Sequence, residues 1–226
     1  MIQEKKIRSF VNRKGRKLSD NKKNLLEDAK KSKILLNEED FSNIAKIAKN
    51  YEEVTFEIGF GSGEHIAHIA KLYPKRLFIG CEPFELGVTK LLAKIRAEKI
   101  NNILIYNNDA LDLLKSLPDN LINKLYILYP DPWPKKRHNK RRIINNENLA
   151  LFAKKMANNA KILIATDHND YASWIISHLI NNKNFKWLIN NVEEVFTEPN
   201  EWHKTKYQKK SLDNKDKHYF YNFSKI

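Results

Sequence analysis

The 226-residue sequence contains a single cysteine, Cys81, and no long apolar run. One thiol cannot form an internal disulfide, and no group of cysteines and histidines has the spacing of a zinc site. No stretch approaches the ~18 consecutive apolar residues that a membrane helix needs. The N-terminal residues are not followed by the apolar segment of a signal peptide. We therefore expect a cytoplasmic protein without a metal site and without a membrane partner.

Negative charge is also scarce relative to positive charge. The chain has 41 Lys+Arg against 27 Asp+Glu, which gives a formal net charge of +14. A domain this basic attracts polyanions. A chain from an AT-rich genome, rich in Lys and Asn, would show a similar excess, so the distribution of the charge is more informative. Basic residues concentrate in segments 8–17 and 135–142, and this clustering favours a nucleic-acid partner.

The length suits one domain with a short appendage. Residues 1–36 are polar and basic, and we interpret them as an N-terminal arm that is partly disordered when unbound. Residues 37–226 form the predicted domain, which begins with a helix near 38–50. From residue 54 onwards, short apolar runs alternate with segments of helical periodicity. We predict strands over the following segments: 54–59, 77–81, 103–106, 125–129, 162–165 and 219–223.

This alternation predicts an α/β protein with a doubly wound, mostly parallel sheet that helices cover on both faces. Ligands in such folds bind beyond the carboxyl ends of the strands. The first such end carries a glycine-rich turn, because residues 57–63 read Glu-Ile-Gly-Phe-Gly-Ser-Gly. A dinucleotide fingerprint needs its third glycine one residue later, where Glu64 stands. A ligand with a sulfonium and an amino-acid tail fits this turn better than NAD.

Acidic residues lie at the carboxyl ends of three successive predicted strands. Glu82 is placed to accept hydrogen bonds from both hydroxyls of a ribose. Asp109 is placed to meet the exocyclic amine of an adenine, and Glu57 can hold the positive end of a ligand. One acid at a strand end is commonly an exposed charge. Three of them beside a glycine-rich turn favour a nucleoside-binding site.

The segment after the fourth of these strands is unusually rigid. Residues 129–138 read Tyr-Pro-Asp-Pro-Trp-Pro-Lys-Lys-Arg-His, and the three prolines fix the backbone. The loop holds Asp131 and Trp133 and is followed by a run of cations. A stiff surface turn with a solvated basic face is the alternative interpretation. Trp133 is either a stacking surface for an unstacked base or a residue packed against the edge of the sheet.

These stretches resemble the bacterial tRNA (guanine-N7-)-methyltransferase family. Pro-Asp-Pro-Trp-Pro-Lys is specific to that family, whereas many methyltransferases share the glycine-rich turn. The resemblance implies a class I S-adenosylmethionine-dependent methyltransferase domain that methylates N7 of a guanosine in the variable loop of tRNA. The family contains monomers and homodimers. The matching segments are 8–16, 57–63, 80–83, 108–110, 130–142, 165–167 and 205–208.

The resemblance also implies roles for individual residues, with Asp131 as the catalytic residue. The S-adenosylmethionine site comprises Glu57, Gly59, Gly61, Gly63, Glu82, Asp109 and Asp131. The guanosine contacts are Lys135, Asp167, Thr205, Lys206, Tyr207 and Gln208. The residues that lie on the tRNA are Arg137, His138, Asn139, Lys140, Arg141 and Arg142. The family usually has Glu where this chain has Gln208, which puts base selectivity at this position in question unless a neighbouring acid compensates.

The implied chemistry needs positioning more than proton transfer. Guanine N7 carries a free lone pair, and the purine becomes cationic during a direct displacement. A fixed carboxylate such as Asp131 stabilises that developing charge. Three alternatives remain open from the sequence: an amino-methylase, although Trp133 stands where its motif has a second proline; a non-catalytic RNA-binding module; and a nicotinamide oxidoreductase, which the glycine spacing opposes.

Overall fold

The structure, a computed structural model, describes residues 18–200, 202–205, 208 and 217–226. Within these residues the chain forms one eight-stranded sheet in the order β1-β4-β3-β2-β5-β6-β8-β7. The strands are β1 Leu35–Leu36, β2 Glu53–Ile58, β3 Arg76–Cys81, β4 Ile103–Tyr106, β5 Ile122–Leu128, β6 Met156–Thr166, β7 Phe185–Trp187 and β8 Tyr219–Lys225.

Helices of the described residues lie between these strands. The α-helices are α1 Asp20–Lys31, α2 Phe41–Ala48, α3 Glu64–Leu72, α4 Glu85–Glu98, α5 Ala110–Ser116, α6 Asn146–Lys155 and α7 Asn169–Ile180. The 3₁₀ helices are Glu38–Asp40, Lys136–Arg141 and Val192–Phe196. None of the helices in the described part of the chain is both long enough and apolar enough to cross a membrane.

The predicted α/β fold class is confirmed. Pairings from β1 to β6 are parallel, and only β8 runs antiparallel to its two neighbours. The apolar runs of the central strands are buried on both faces, as a parallel sheet between helices requires. The strand order reverses between β2 and β5, and Ile58, Cys81 and Tyr106 lie in one register. The carboxyl ends of β2, β3 and β4 are therefore level at a topological switch point.

Alternating strand residues divide the core into two layers. On one face, Leu77 and Ile79 join a cluster with residues of α2, α5, α6 and α7. On the other, Phe78 and Ile103 join residues of α1, α3 and α4. The β5–β6–β8 part of this second face is different. Its apolar residues form a smaller cluster against which Tyr129 and Trp202 are packed, and His65 of α3 contacts Tyr126 of this cluster.

The segment 18–36 differs from the predicted arm. Helix α1 buries Leu26 and Ala29 in the cluster that contains α4, and β1 pairs with β4. These residues are part of the folded domain in the structure, although α1 carries only scattered apolar side chains among its lysines. Residues 1–17, with the basic segment from Arg8, lie outside the described residues. Helix α5 was also not predicted, because it spans only seven residues.

Candidate active site

A large cavity of about 1410 Å³ opens beyond the carboxyl ends of β2, β3, β4 and β5. Its walls are the glycine-rich turn, the segment 81–87, the segment 107–110 and the segment 128–131. Helix α1 contributes a further wall. Acidic side chains outnumber basic ones on these walls, and the acids are Glu27, Glu57, Glu64, Glu82, Glu85, Asp109 and Asp131.

The glycine-rich turn needs its glycines for two different reasons. Gly59, Gly61 and Gly63 have φ angles of 72°, 58° and 72°, a region that side chains disfavour. Gly59 and Gly61 line the cavity. Gly63 does not, and a Cβ at this position would lie 2.8 Å from Leu91 of α4. Gly63 therefore allows α3 to pack against α4, and its predicted cofactor contact remains a prediction.

Glu82 is fixed at the end of β3 by the neighbouring backbone. Its two carboxylate oxygens accept hydrogen bonds from Gly61 N at 2.8 Å and from Phe84 N at 2.9 Å. Burial raises the pKa of Glu82, the two amide donors oppose this shift, and the nearby Asp131 carboxylate adds to it. Because each oxygen has a second acceptor site, the rigid carboxylate can still receive a pair of ligand hydroxyls.

Glu57 has a partner that the sequence did not reveal. Its carboxylate lies 2.9 Å from Nδ1 of His65 in α3, and both side chains are buried. The His65 ring packs against the rings of Tyr126 and Trp202, with centroid distances of 4.6 and 5.3 Å. One oxygen of Glu57 is thus committed to His65. Asp109 also has a partner: it follows β4, and its side chain caps α5 by accepting a hydrogen bond from Leu111 N at 3.0 Å.

The proline-rich loop holds two residues in strained backbone conformations. Tyr129 and Trp133 have φ angles of 52° and 44°, which are uncommon for residues with side chains. Tyr129 is held by its amide, which donates to Ala165 O at 2.8 Å, and by a contact of its hydroxyl with His218 Nδ1 at 3.0 Å. The Trp133 ring lies at the cavity, 4.9 Å from the Arg141 guanidinium.

Asp131 lies between these two residues at the rim of the cavity. The cavity leaves its side chain accessible to solvent, while the protein atoms around the carboxylate remove part of its hydration. This desolvation raises the pKa of Asp131. The structure therefore brings the predicted catalytic acid to the same cavity as Glu57, Glu82 and Asp109, as the sequence analysis expected.

Arg142 is placed differently from its predicted position on the tRNA. Its side chain is only 1% exposed, its Nε donates to Pro132 O at 2.9 Å, and its guanidinium pairs with Asp170 of α7. It also lies 4.9 Å from the ring centroids of Tyr171 and Trp174. A buried side chain cannot lie on RNA. Arg142 instead joins the backbone beside Asp131 to helix α7.

The rest of the predicted RNA segment is at the surface or partly buried. The 3₁₀ helix Lys136–Arg141 has no fully buried residue. Desolvation and the surrounding cations, with Arg141 the foremost, lower the pKa of His138. Its neutral form is therefore favoured within this basic segment. The roles of Arg137, His138, Asn139, Lys140 and Arg141 on RNA remain predictions.

Only some of the residues predicted to contact the guanosine lie at the cavity. Thr205 lines the cavity, whereas Lys135, Asp167 and Gln208 are not part of its walls. Asp167 lies near Tyr129, whose pKa is raised first by burial and then by this carboxylate. Lys206 and Tyr207 lie outside the described residues.

Gln208 is buried and uses both ends of its amide. Its Oε1 accepts from Trp202 Nε1 at 2.6 Å, and its Nε2 donates to Glu198 at 2.7 Å. A glutamate at this position could accept from Trp202 but would place a second carboxylate against Glu198. Glutamine at position 208 can thus donate a hydrogen bond to Glu198, an acid ten positions earlier in the sequence.

Replacing Gln208 with glutamate, the residue usual in the family, is therefore expected to destabilise the protein by about 1–3 kcal/mol. The cause is repulsion between two carboxylates that replaces a hydrogen bond. The combined change Glu198→Gln and Gln208→Glu restores one donor and one acceptor, so it should recover most of the loss. Chemical denaturation of the two single variants and the double variant measures this coupling. Additive effects of the two changes would contradict the assignment.

Gly87 has a role at the cofactor turn that the sequence did not indicate. It lies on α4, and a Cβ there would be 2.2 Å from Gly61 O in the glycine-rich turn. Gly87→Ala should displace the turn and raise the Kd for S-adenosylmethionine by about tenfold or more, since placement errors of this size are costly at a binding site. Calorimetry measures the Kd, with Arg96→Ala on the exposed side of α4 as the control. An unchanged Kd in Gly87→Ala would contradict the close approach.

Solved structures support the fold. A 16S rRNA methyltransferase, KamB, matches with a TM-score of 0.59 at 16% identity over 97% of this chain and 99% of that chain. An antibiotic-related methyltransferase matches with a TM-score of 0.55 at 18% identity over 82% of this chain and 93% of that chain. At these identities the likeness extends to the fold alone. In the described residues, no group of three or more His, Cys, Asp or Glu side chains is arranged to hold a metal ion.

The family model "Putative methyltransferase" matches residues 51–221. This match, the parallel sheet and the acid-lined cavity at its carboxyl edge define a class I S-adenosylmethionine-dependent methyltransferase. A tRNA (guanine-N(7)-)-methyltransferase of Wolbachia pipientis wMel is 44% identical over 81% of this chain and 80% of its own length. The enzyme of the same name from Zymomonas mobilis is 39% identical over 76% and 74%. The chain belongs to the tRNA (guanine-N7)-methyltransferase family.

Proposed function

We propose that this protein transfers the methyl group of S-adenosylmethionine to N7 of a guanosine in the variable loop of tRNA, with Asp131 as the catalytic residue. Family membership supports the reaction. The observation that carries the role of Asp131 is its position on the proline-rich loop, at the cavity that the glycine-rich turn also lines. A cytoplasmic location and a monomer or homodimer are consistent with this proposal.

The walls of the cavity suit this cofactor. S-adenosylmethionine carries a sulfonium and an ammonium group, and acidic side chains favour both. Glu82 would bind the ribose hydroxyls through the acceptor sites that the backbone amides leave open. Asp109 would bind the adenine amine, and Glu57 would bind the amino-acid end while His65 holds it in place. The same acids disfavour a pyrophosphate, which argues against a nicotinamide cofactor.

The reaction needs a positioned base and a fixed negative charge. When bound, S-adenosylmethionine supplies an electrophilic methyl group. The lone pair of guanine N7 would form the bond to the methyl carbon and the sulfur would keep the electrons of the broken bond, so the positive charge would move to the purine. Asp131 would stabilise that charge from a loop that the prolines and Arg142 keep rigid. No proton has to leave N7, so Asp131 need not act as a general base.

The rim of the cavity presents groups that suit an unstacked nucleotide. Trp133 offers an aromatic face, and the Arg141 guanidinium lies over the ring from one side. Stacking on it would recover part of the cost of removing the guanine from the tRNA fold. Lys135 follows on the exposed side and would reach a phosphate or guanine O6. Exposed cations of the 3₁₀ helix would bind the RNA backbone.

The raised pKa values of Asp131 and Glu82 predict an acid limb in the activity. An acid whose pKa is raised becomes protonated at a higher pH than an ordinary carboxyl group. As pH falls through that pKa, the negative charge is lost, so kcat should decline before ordinary carboxylates titrate. Saturating single-turnover rates across the acid range measure this limb. The Asp131→Asn variant should lose the component due to Asp131, and an unaltered profile in that variant would contradict the assignment.

Nucleoside analysis tests the proposed reaction. An unmodified tRNA transcript is incubated with the protein and S-adenosylmethionine, digested, and analysed by mass spectrometry against 7-methylguanosine. We expect 7-methylguanosine from the transcript, and none from a matched transcript with adenosine at the variable-loop guanosine. Methylation at an exocyclic amine would support an amino-methylase instead. Absence of product together with absence of S-adenosylmethionine binding in calorimetry would support a non-catalytic RNA-binding module.

A further inference from the structure

Three lysines lie in one row across neighbouring strands. The row is displaced along the strands from the carboxyl ends that form the active site. Lys124 of β5 is the register partner of Lys161 of β6. Lys161 is paired with Ser224 of β8, and Ser224 is paired with Lys186 of β7. Register partners in a sheet point to the same face. We call Lys124, Lys161 and Lys186 the lysine row.

The lysine row is on the same face of the sheet as the smaller apolar cluster of β5, β6 and β8, but none of the three lysines belongs to that cluster. Leu125 and Ile162, which point to the opposite face, pack in the cluster with α6 and α7. On the face of the lysine row, the apolar cluster containing Tyr126 and Leu163 lies closer to the active site. Lys161 and Lys186 are exposed, and Lys124 is partly buried.

The charges of the lysine row are only weakly compensated within the described part of the chain, where Lys124 lies 5.3 Å from the Tyr126 ring centroid and is attracted by Glu53. None of the three lysines forms an ion pair there, although Arg76 nearby is paired with Glu53. Facing like charges destabilise a strand pair. Burial lowers the pKa of Lys124, and the Arg76 and Lys161 cations lower it further. An anionic partner on this face would remove that repulsion.

The distances suit a partner that also reaches the active site. The row crosses three inter-strand steps and so spans roughly 14 Å. Along β5, Lys124 precedes Leu128 by four residues, which places the row roughly 13 Å from the cavity edge. A folded RNA with its target nucleotide at the cavity is large enough to cover both places. An isolated small anion is too small to cover both places.

We propose that the lysine row is a docking surface for the phosphate backbone of the tRNA, separate from the basic segment 135–142 at the cavity. The proposal rests on the proposed function for the identity of the RNA. The row would hold a part of the tRNA remote from the methylated guanosine. It would contribute affinity and orientation without reading sequence, as backbone contacts do.

Charge reversal tests the row against a matched surface. The double variant Lys161→Glu and Lys186→Glu is compared with Lys46→Glu and Lys49→Glu, which alters the same charge on and beside α2, on the opposite layer of the sheet. Binding of fluorescent tRNA transcript is measured by anisotropy at several salt concentrations. We expect the first variant to weaken binding at least about tenfold and to reduce the salt slope by about 2. The Kd for S-adenosylmethionine should not change.

Equal weakening in both double variants would show a general charge effect and overturn the proposal, as would unchanged binding in the lysine-row variant. Thermal melting of each variant confirms that it is folded. Lys161→Gln and Lys186→Gln together should give an intermediate loss, because they remove charge without reversing it. This experiment measures tRNA binding without turnover, so its outcome can be distinguished from a failure of the proposed function. In that case the unaltered protein would give no 7-methylguanosine.

Discussion

Asp131→Asn is expected to lower kcat by about 10²- to 10³-fold, with little change in the Kd for S-adenosylmethionine. Asparagine keeps the size of the side chain and its hydrogen-bond acceptor but removes the negative charge. The carboxylate charge stabilises the complex most when the purine becomes cationic. Removing the charge therefore destabilises the transition state more than the ground state. Single-turnover rates with saturating tRNA and cofactor measure the effect on the chemical step directly.

Two further variants isolate the role of Asp131 from its surroundings. Glu82→Gln should instead raise the Kd for S-adenosylmethionine, because its carboxylate is held by Gly61 N and Phe84 N in the cofactor region. Asp112→Asn, on α5 and away from the cavity walls, should leave both quantities unchanged. Intact turnover in Asp131→Asn would remove this residue from the catalytic role.

Arg142→Met is expected to lower kcat by about 10²-fold, because a displaced reacting group is costly. Methionine fills part of the buried volume but cannot donate to Pro132 O, and the strained Trp133 backbone then loses a nearby restraint. The free energy of unfolding should also fall by about 1–3 kcal/mol, since the carbonyl is left without its donor. Kinetics at a temperature where circular dichroism shows a folded protein separate the two effects.

The kinetic pattern distinguishes positioning from RNA binding at Arg142. A residue that holds the loop should change kcat and leave the KM for tRNA nearly unchanged. A residue on the RNA should raise that KM. Asp170→Asn is the matched control, because it weakens the ion pair of Arg142 but keeps the hydrogen bond to Pro132 O. Its loss of kcat should be smaller, and a rise in KM with kcat intact in Arg142→Met would contradict the positioning role.

The sequence predicted the parts of this structure that depend on local pattern. The apolar runs of β2 to β6 identified the sheet, and acids at or shortly after the carboxyl ends of three strands identified the cavity, because parallel strands bring these ends to one edge. Helix α1 was missed since its buried Leu26 and Ala29 stand among lysines, and its stability comes from packing on α4.

Long-range pairing explains what local pattern did not predict. Arg142 ends a basic run, and only the position of α7 shows that it is buried. The partners of Gln208 lie only six and ten residues earlier, but they stand in an irregular segment, where sequence spacing does not show which side chains meet. The lysine row depends on the register of four strands, and register is not visible in the lysines themselves. Each of these arrangements requires tertiary structure.

The most direct test of methyl transfer to guanine N7 replaces that nitrogen, the atom that accepts the methyl group. A tRNA with 7-deazaguanosine at the variable-loop position has a C–H group in place of N7 and keeps the Watson–Crick edge of the base. We predict that the transcript binds to the protein like unmodified tRNA and receives no methyl group, while the guanosine control is converted to 7-methylguanosine. Methyl transfer to the 7-deaza nucleotide at the control rate would contradict attack by N7 and the role that we assign to Asp131.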